Sequence, residues 1–161
     1  RYGTVTGVQT CALPILRHGQ SQWNLENRFT GWYDAELTKH GIEEAQQAGS
    51  LIKNLNINFN FAFTSFQKRA IFTLDEINKK LDLSIKNIFK AWELNERHYG
   101  ALQGLNKEET AKKHGEQQVK IWRRSYDIPP PPMDKSNPDH PVHYPIYKNI
   151  NKNLKIGRAH V

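Results

Sequence analysis

The feature that most constrains this chain is an alternation of short strand patterns with longer helical patterns. From Thr38 to about Leu55, apolar residues recur every three or four positions, as in an amphipathic helix that begins near a Thr cap. Phe59, Phe61 and Phe63 then alternate with other residues, as in a short strand. The predicted buried stripe of the helix consists of Ile42, Ala45, Ala48, Ile52 and Leu55.

A second helix and a further strand follow the same pattern. Thr64 and Ser65 are predicted to cap the helix, and residues 85–91 are predicted to form the strand. Upstream, the apolar stretch that leads to His18 resembles a strand end that opens a polar loop running to Tyr33. The predicted stripe of the second helix consists of Ala70, Ile71, Leu74, Ile77 and Leu81. Strand, helix, strand, helix, strand predicts an α/β fold with a parallel sheet.

The next part of the chain is predicted to be helical up to a run of prolines. Asn106 and Glu109 have capping-box spacing and open a helix that should end near Gly115. Residues 116–126 are predicted to be helical and to stop at Pro129–Pro132, which lacks backbone donors. Beyond the prolines, the many Asn, Lys, Pro and His residues predict a long surface segment without further sheet.

Composition narrows the function classes. The 161 residues, 37% of them hydrophobic, suit one domain with a core, and no apolar run approaches the length of a membrane helix. The single cysteine, Cys11, excludes an internal disulfide, which fits a reducing compartment such as the cytoplasm. The net charge of +7 favours anionic partners, either nucleic acid or phosphorylated metabolites.

Both ends of the sequence resemble translated sequencing adapters. VTGVQTCALPI lies near the start and IGRAHV at the end, and one choice of codons for residues 9–15 contains the reverse complement of a codon choice for IGRAHV. We therefore interpret residues 1–15 and 156–161 as non-native segments and residues 16–155 as a partial domain.

The tripeptide Arg17-His18-Gly19 is a candidate for phosphoryl chemistry. A neutral imidazole can accept a phosphoryl group, a guanidinium offers paired donors to phosphate oxygens, and glycine lets the backbone approach a ligand. In isolation, an Arg beside a His is more often an ordinary surface pair. Arg69 adds support, because a cation at a predicted helix start opposes the helix dipole unless an anion compensates it.

A second candidate cluster lies in residues 94–100, LNERHYG. In a strand, Glu96 and His98 would share one face, whereas in a turn all four residues from Glu96 to Tyr99 could converge. A carboxylate placed there could move protons to and from a substrate hydroxyl. A solvated polar turn is the ordinary alternative. Likewise, Arg123 and Arg124 could be a solvated helix face.

Three stretches carry a resemblance to a known family. They are RHGQSQWNLENRFTGWYDAELTKHG, FTSFQKRAIFTL and LNERHYGALQGLNKEETAKKHGEQQVKIWRRSYDIPPPP, and they span most of residues 16–155. Together they resemble the cofactor-dependent phosphoglycerate mutases of the histidine phosphatase superfamily. The resemblance implies a three-layer α/β fold with a mostly parallel sheet, incomplete here at its C-terminal end. It also implies a homo-oligomer for the full-length protein.

The resemblance implies interconversion of 3-phosphoglycerate and 2-phosphoglycerate in glycolysis and gluconeogenesis, through a phosphohistidine primed by 2,3-bisphosphoglycerate. His18 would be the nucleophile, Arg17 and Arg69 would hold the transferring group, and Glu96 would exchange the proton. Further residues would line the substrate loop or bind its phosphate and carboxylate: Asn24, Thr30, Gly31, Arg97, Tyr99, Lys107, Arg123 and Arg124. The cations would do the neutralising, so no metal is expected.

Two other functions compete with this one. A plain histidine phosphatase would hydrolyse phosphate esters through the same His18 intermediate, although the Glu96 to Tyr99 cluster and the segment 122–132 favour the mutase. A non-catalytic basic module that binds anions or nucleic acid would fit the charge alone. The cations are scattered and no nucleic-acid motif accompanies them, so neither a nucleic-acid partner nor a membrane is expected.

We expect the polypeptide as printed to have little or no mutase turnover and to be marginally stable. The family's second active-site histidine lies in an Ala-Ala-His-Gly-Asn motif on a further strand, and this motif does not occur in the sequence. His140 and His143 lie among prolines in a different context. Purified protein assayed for conversion of 3-phosphoglycerate checks this expectation, and turnover near that of a full-length mutase would refute it.

Overall fold

Helices and strands alternate along the computed structural model, which describes residues 14–148. The helices are α1 (Gln22–Leu25), α2 (Lys39–Asn54), α3 (Lys68–Asn78), α4 (Lys107–His114) and α5 (Glu116–Arg124), and the strands are β1 (Phe61–Thr64) and β2 (Asn87–Lys90). Short 3-10 turns lie at Trp92–Leu94, Gly100–Leu102, Pro141–His143 and Pro145–Tyr147. The segment 156–161, and residues 1–13 of the other segment interpreted as non-native, lie outside the described residues.

The two strands are parallel neighbours. Phe61 pairs with Asn87 and Thr64 with Lys90, and α3 makes the crossover between the strands. This arrangement confirms the predicted α/β class with parallel pairing. Phe61, Phe63 and Phe89 are exposed, and the Phe63 and Phe89 rings stack 5.4 Å apart on one face of the sheet.

The predicted strand before His18 is wrong for the described residues. Residues 14–20 have no regular secondary structure, and the polar loop after them contains the short helix α1. Pro14 has no N–H to donate to a neighbouring strand, which disfavours a strand in a sheet interior. Side chains hold this segment instead: Gln20 N donates to Glu44 Oε2 at 2.7 Å, and the Thr38 hydroxyl donates to Gln20 Oε1 at 2.9 Å.

Helix α2 begins as predicted, but its buried face differs from the predicted stripe. Thr38 is the N-cap, and its hydroxyl accepts a hydrogen bond from Gly41 N at 3.0 Å. The buried residues are Gly41, Ala45, Gly49 and Ile52. Ile42 and Leu55 of the predicted stripe are exposed, and Ala48 is half-buried. Two glycines on the contact face let α2 lie close to its neighbours, so the buried face is turned toward them.

Helix α3 also departs from the prediction in its cap and its stripe. The N-cap is Gln67, which makes no side-chain capping bond, so the predicted Thr64 and Ser65 cap is wrong. Of the predicted stripe only Ile77 is buried, and the other buried positions are Arg69 and Thr73. Polar residues take the buried face because they bond to groups of the site described below.

Helices α4 and α5 follow the sequence patterns closely. Asn106 caps α4, and its Oδ1 accepts from Glu108 N at 2.9 Å and Glu109 N at 3.2 Å. The chain turns into α5 at Gly115, where φ is +83°. Between these helices and the preceding loops lies a small core of Phe29, Leu102 and Val119, on which Tyr99, Ala111 and Trp122 pack.

The segment after the prolines is less exposed than predicted, although it contains no strand within the described residues. Met133 and His140 are buried, and the Tyr147 ring lies 4.7 Å from Trp32 and 6.0 Å from Phe66. Apolar packing therefore holds this segment against the domain. In the described part of the chain, no helix has the length and apolar character that crossing a membrane requires.

Substituting Gly41→Ala should destabilise the protein by about 1–3 kcal/mol through overpacking, although alanine is normally the better helix former. A Cβ at Gly41 would lie 2.1 Å from Gln20 O and 2.7 Å from Gln20 N. Urea unfolding followed by circular dichroism measures the change. Ser50→Ala, on the exposed side of the same helix, is the control and should shift the unfolding free energy by less than about 0.5 kcal/mol. A Gly41→Ala protein as stable as the parent would contradict the close approach.

Candidate functional site

Three elements bring His18, Arg69 and Glu96 into direct contact. His18 lies on the irregular segment before α1, Arg69 in the first turn of α3, and Glu96 in the loop after β2. Arg69 Nε donates to His18 Nε2 at 3.2 Å, and Arg69 Nη2 donates to Glu96 Oε2 at 2.9 Å. The structure thus joins the predicted nucleophile and the predicted proton carrier through one guanidinium.

Arg69 is completely buried, and its other donors are also used. Nη1 donates to Tyr33 O and Nη2 to Gly31 O, both at 2.9 Å. Burial lowers the pKa of Arg69 below its usual value, and the Glu96 carboxylate opposes this by favouring the charged form. Arg69 lies in the first turn of α3, where its positive charge opposes the helix dipole. The Glu96 carboxylate and the carbonyls of Gly31 and Tyr33 compensate this charge.

The contacts of His18 define its tautomer. A guanidinium can only donate, so Nε2 accepts from Arg69 and carries a lone pair. The proton then lies on Nδ1, which donates to Gly19 O at 2.7 Å. Burial lowers the pKa of His18, as do the charges of Arg69 and Arg17, while the Gly19 carbonyl and Glu96 raise it. A neutral imidazole with a lone pair on one ring nitrogen is the form that attacks phosphorus.

Glu96 is held by its backbone as well as by its carboxylate. Glu96 N donates to Gln67 Oε1 at 3.2 Å, and Glu96 O accepts from Trp32 Nε1 at 2.7 Å. The residue lies in an irregular loop between two 3-10 turns, so the strand alternative for Glu96 and His98 is wrong. His98 is fully buried, and its Nδ1 accepts from Gly100 N at 2.9 Å.

Several of the predicted anion-binding side chains share one electrostatic environment. The pKa of Lys107 is lowered, first by burial and then by the charges of Arg123 and Arg17, while Glu96 raises it. The pKa of Tyr99 is raised chiefly by burial and then by Glu96, to which its hydroxyl hydrogen-bonds, while Arg123 opposes the shift. Tyr99 and Lys107 thus lie within the electrostatic influence of Glu96 and of cations from other elements, and the cations make this region attractive to anions.

The substrate-loop residues have structural contacts of their own. Asn24 Oδ1 accepts from Ser21 N at 3.1 Å and so closes the capping box of α1. Thr30 is buried, and its carbonyl accepts from Tyr33 N. Gly31 has a positive φ of +54° and turns its carbonyl toward Arg69.

Two of the predicted cations point elsewhere. The Arg97 guanidinium donates to Ser125 O and, at 3.4 Å, to Ile128 O, which ties it to the segment after α5. Arg124 is exposed, and in residues 14–148 no hydrogen bond or ion pair links it to His18 or Glu96. Arg123 acts electrostatically on both Tyr99 and Lys107, and Arg97 also acts on Tyr99.

The sequence analysis did not identify two residues, Gln67 and Thr73, that bond to backbone groups of the site. Gln67 is buried and bridges two loops, because its Nε2 donates to Gly31 O at 2.7 Å while its Oε1 accepts from Glu96 N. Thr73 bonds both to Gly19 N and to Arg69 O. The position of Thr73, one helical turn after Arg69, was the one available signal, since residues four apart share a helix face.

The described residues also bear on metal binding. No group of three or more His, Cys, Asp or Glu side chains within residues 14–148 is arranged to hold a metal ion. The charge that a phosphate would meet here comes from arginine and lysine.

The fold and the sequence together define the class of protein. Residues 13–139 match the histidine phosphatase superfamily, branch 1, and the chain belongs to that family. Over 138 residues, which make up 86% of this chain, it is 56% identical to a 2,3-bisphosphoglycerate-dependent phosphoglycerate mutase from Hydrogenobaculum sp.. The matched region is 56% of that relative, so the chain spans little more than half of its length.

Solved structures agree with the family assignment. Bacillus stearothermophilus YhfR is 26% identical, with a TM-score of 0.58 over 66% of this chain and 50% of that one. A phosphoglycerate mutase from Bacillus anthracis is 27% identical, with a TM-score of 0.55 over 65% of this chain and 47% of that one.

The His18 ring should titrate below the ordinary histidine value of about 6.5, because burial and two nearby guanidinium groups disfavour the imidazolium form. Any reaction that needs neutral His18 then persists to lower pH than an exposed histidine would allow and is lost as pH falls through the lowered pKa. Proton NMR of the ring C–H signals against pH measures the midpoint, and His18→Gln assigns the signal. A midpoint at or above 6.5 would show that the ring is not in this environment.

Proposed function

We propose that this chain is part of a protein that carries out histidine-based phosphoryl transfer between phosphoglycerates, with overall turnover impaired in the polypeptide as printed. The reaction is the mutase interconversion of 3-phosphoglycerate and 2-phosphoglycerate, an isomerase activity of glycolysis and gluconeogenesis, primed by 2,3-bisphosphoglycerate in the cytoplasm. One observation carries the proposal: a neutral His18, a buried Arg69 and Glu96 form a continuous hydrogen-bonded array. The 56% identity to the Hydrogenobaculum mutase supports the same substrate class.

The residues present fit a phosphorylated ligand. Lys107 and the cations that act on it, Arg123 and Arg17, would attract the ligand's negative charges, and Lys107 is partly withdrawn from solvent, which strengthens such an attraction. 2,3-bisphosphoglycerate would supply a phosphoryl group and leave as a monophosphoglycerate. Arg17, Arg69, Lys107 and Arg123 would hold the phosphate and carboxylate oxygens, and Arg69 is already fixed by its hydrogen bonds before the ligand arrives.

His18 would make and break the bond to phosphorus. In the first half-reaction, Nε2 uses its lone pair to form a P–N bond while the P–O ester bond breaks. The Glu96 carboxylate would first take up a proton from solvent, and the resulting carboxyl group would give that proton to the departing oxygen. In the second half-reaction, a bound monophosphoglycerate hydroxyl attacks phosphorus, the P–N bond breaks, and the Glu96 carboxylate takes the hydroxyl proton.

Arg69 would change its hydrogen-bond acceptor during this cycle. Its Nε–H donates a hydrogen bond to His18 Nε2, the atom that would attack phosphorus. A phosphoryl group arriving at Nε2 presents oxygens to the same N–H, so Arg69 would stabilise charge on the transferring group without a large movement. Its bonds to Gly31 O and Tyr33 O keep the rest of the guanidinium in place.

Incubation with 2,3-bisphosphoglycerate should add the mass of one phosphoryl group to the protein, and His18→Ala should abolish this addition. His40→Ala is the matched control, because His40 is an exposed histidine of α2 whose ion-pair neighbours within residues 14–148 are Glu43 and Glu44. Intact-protein mass spectrometry follows the modification, and phosphorus NMR distinguishes phosphohistidine from a phosphate ester. Labelling that survives in His18→Ala would exclude the proposal.

The fate of the phosphoryl group separates the mutase from a phosphatase. After labelling, 3-phosphoglycerate should remove the group from His18 faster than water does and yield a phosphorylated glycerate. Release mainly as inorganic phosphate at the same rate with and without 3-phosphoglycerate would instead identify a histidine phosphatase.

A further inference from the structure

The Thr73 side chain connects the two elements that carry the reacting groups. Its hydroxyl oxygen accepts from Gly19 N at 3.0 Å, and its hydroxyl proton is donated to Arg69 O at 2.7 Å. The side chain is buried on α3, away from competing water. The hydroxyl thus accepts a hydrogen bond from the residue that follows His18 and donates one to Arg69 itself.

The main chain around Gly19 has little room to move. A Cβ at Gly19 would lie 2.1 Å from Gly41 O, so the main chain presses directly against the start of α2. On its other side, the same residue gives its N–H to Thr73 and accepts the His18 Nδ1 proton on its carbonyl. Gly19 is therefore the point through which Thr73 acts on the His18 ring.

We propose that Thr73 is a positioning residue that keeps His18 Nε2 directed at Arg69 Nε and thereby maintains the tautomer with the proton on Nδ1. The consequence for phosphoryl transfer rests on the function proposed above, whereas the consequence for the tautomer does not. Thr73 touches neither reacting atom, so its effect passes through the Gly19 backbone and the first turn of α3.

Loss of the hydroxyl has a definite structural consequence. Thr73→Val keeps the branched shape but leaves Gly19 N–H buried without its acceptor. A buried donor without an acceptor costs free energy, which favours a shift of the backbone to another acceptor. The segment 17–20 then shifts, the Nε2 lone pair loses its alignment with Arg69, and both neutral tautomers become populated. The charged groups that act on the ring, Arg17, Arg69 and Glu96, are all retained in this variant.

Nitrogen NMR of protein labelled in its histidines reads the tautomer directly. In the parent protein, at a pH above the His18 midpoint, His18 should show a protonated Nδ1 and an unprotonated Nε2. Thr73→Val should give averaged shifts from both tautomers, and Thr73→Ser, which keeps the hydroxyl, should restore the parent pattern. Phosphorylation of His18 by 2,3-bisphosphoglycerate should slow by about ten- to a hundredfold in Thr73→Val, because small misplacements of a reacting group cost rates of this order.

Thr110→Val is the matched control. Thr110 is a buried threonine whose hydroxyl donates to the carbonyl four residues earlier, at Asn106, just as Thr73 does to Arg69. It lies in α4 and makes no hydrogen bond to Gly19 in the described residues. Thr110→Val should leave the His18 tautomer unchanged and so separate a positioning effect from the general cost of removing a buried hydroxyl.

The outcomes separate cleanly. An unchanged His18 tautomer in folded Thr73→Val would overturn the inference, as would an equal change in Thr110→Val. Failure of Thr73→Ser to restore the parent tautomer would also overturn it. If the parent shows no phosphorylation of His18, the proposed function fails while the tautomer measurement still decides the role of Thr73.

Discussion

The buried charge of Arg69 organises the site. A guanidinium removed from water needs a partner for each donor, and the chain supplies them from His18, Gly31, Tyr33 and Glu96. These partners come from three separate segments. The polar loop, the loop after β2 and the segment before α1 are therefore fixed relative to one another by a single side chain. The ion pair joins this buried guanidinium to a carboxylate that is partly exposed.

Tight main-chain contacts complement the polar array. Glycines at 19 and 41 let the His18 segment lie against the start of α2, and Gly49 lets α2 lie against the end of α3. Behind the array, Gln67 and Thr73 supply acceptors to the backbone N–H groups of Glu96 and Gly19. The reacting side chains thus stand on a support that has few alternative positions, which favours a pre-organised site.

The sequence predicted those helix caps and elements that depend on residues close together along the chain. Thr38 and Asn106 cap helices because each side chain bonds to an N–H within three residues, and such bonds are visible in the sequence. The parallel class followed from the alternation of patterns. Residues 14–20 do not form the strand predicted before His18, and Pro14, which has no N–H to donate, disfavours a strand there in a sheet interior.

The candidate residues of the site were named before the structure, but their contacts were not. The resemblance grouped His18, Arg69 and Glu96, yet no local pattern indicated that Arg69 bonds directly to both of the others, since His18 and Arg69 are 51 positions apart. For the same reason Gln67 and Thr73 were overlooked, because their roles depend on bonds to distant loops. The buried faces predicted for α2 and α3 from their apolar residues were wrong in part, because glycines lie on the buried face of α2 and polar residues on that of α3.

The stacked phenylalanines of the sheet have a consequence for behaviour in solution. Phe61, Phe63 and Phe89 present an apolar face beside a two-stranded sheet, and such faces attract one another. The net charge of +7 keeps copies of the chain apart at low ionic strength. Added salt shortens the range of this repulsion to about 10 Å at 0.1 M and leaves the apolar attraction intact. Colloidal stability is therefore a balance set by ionic strength, with salt favouring association.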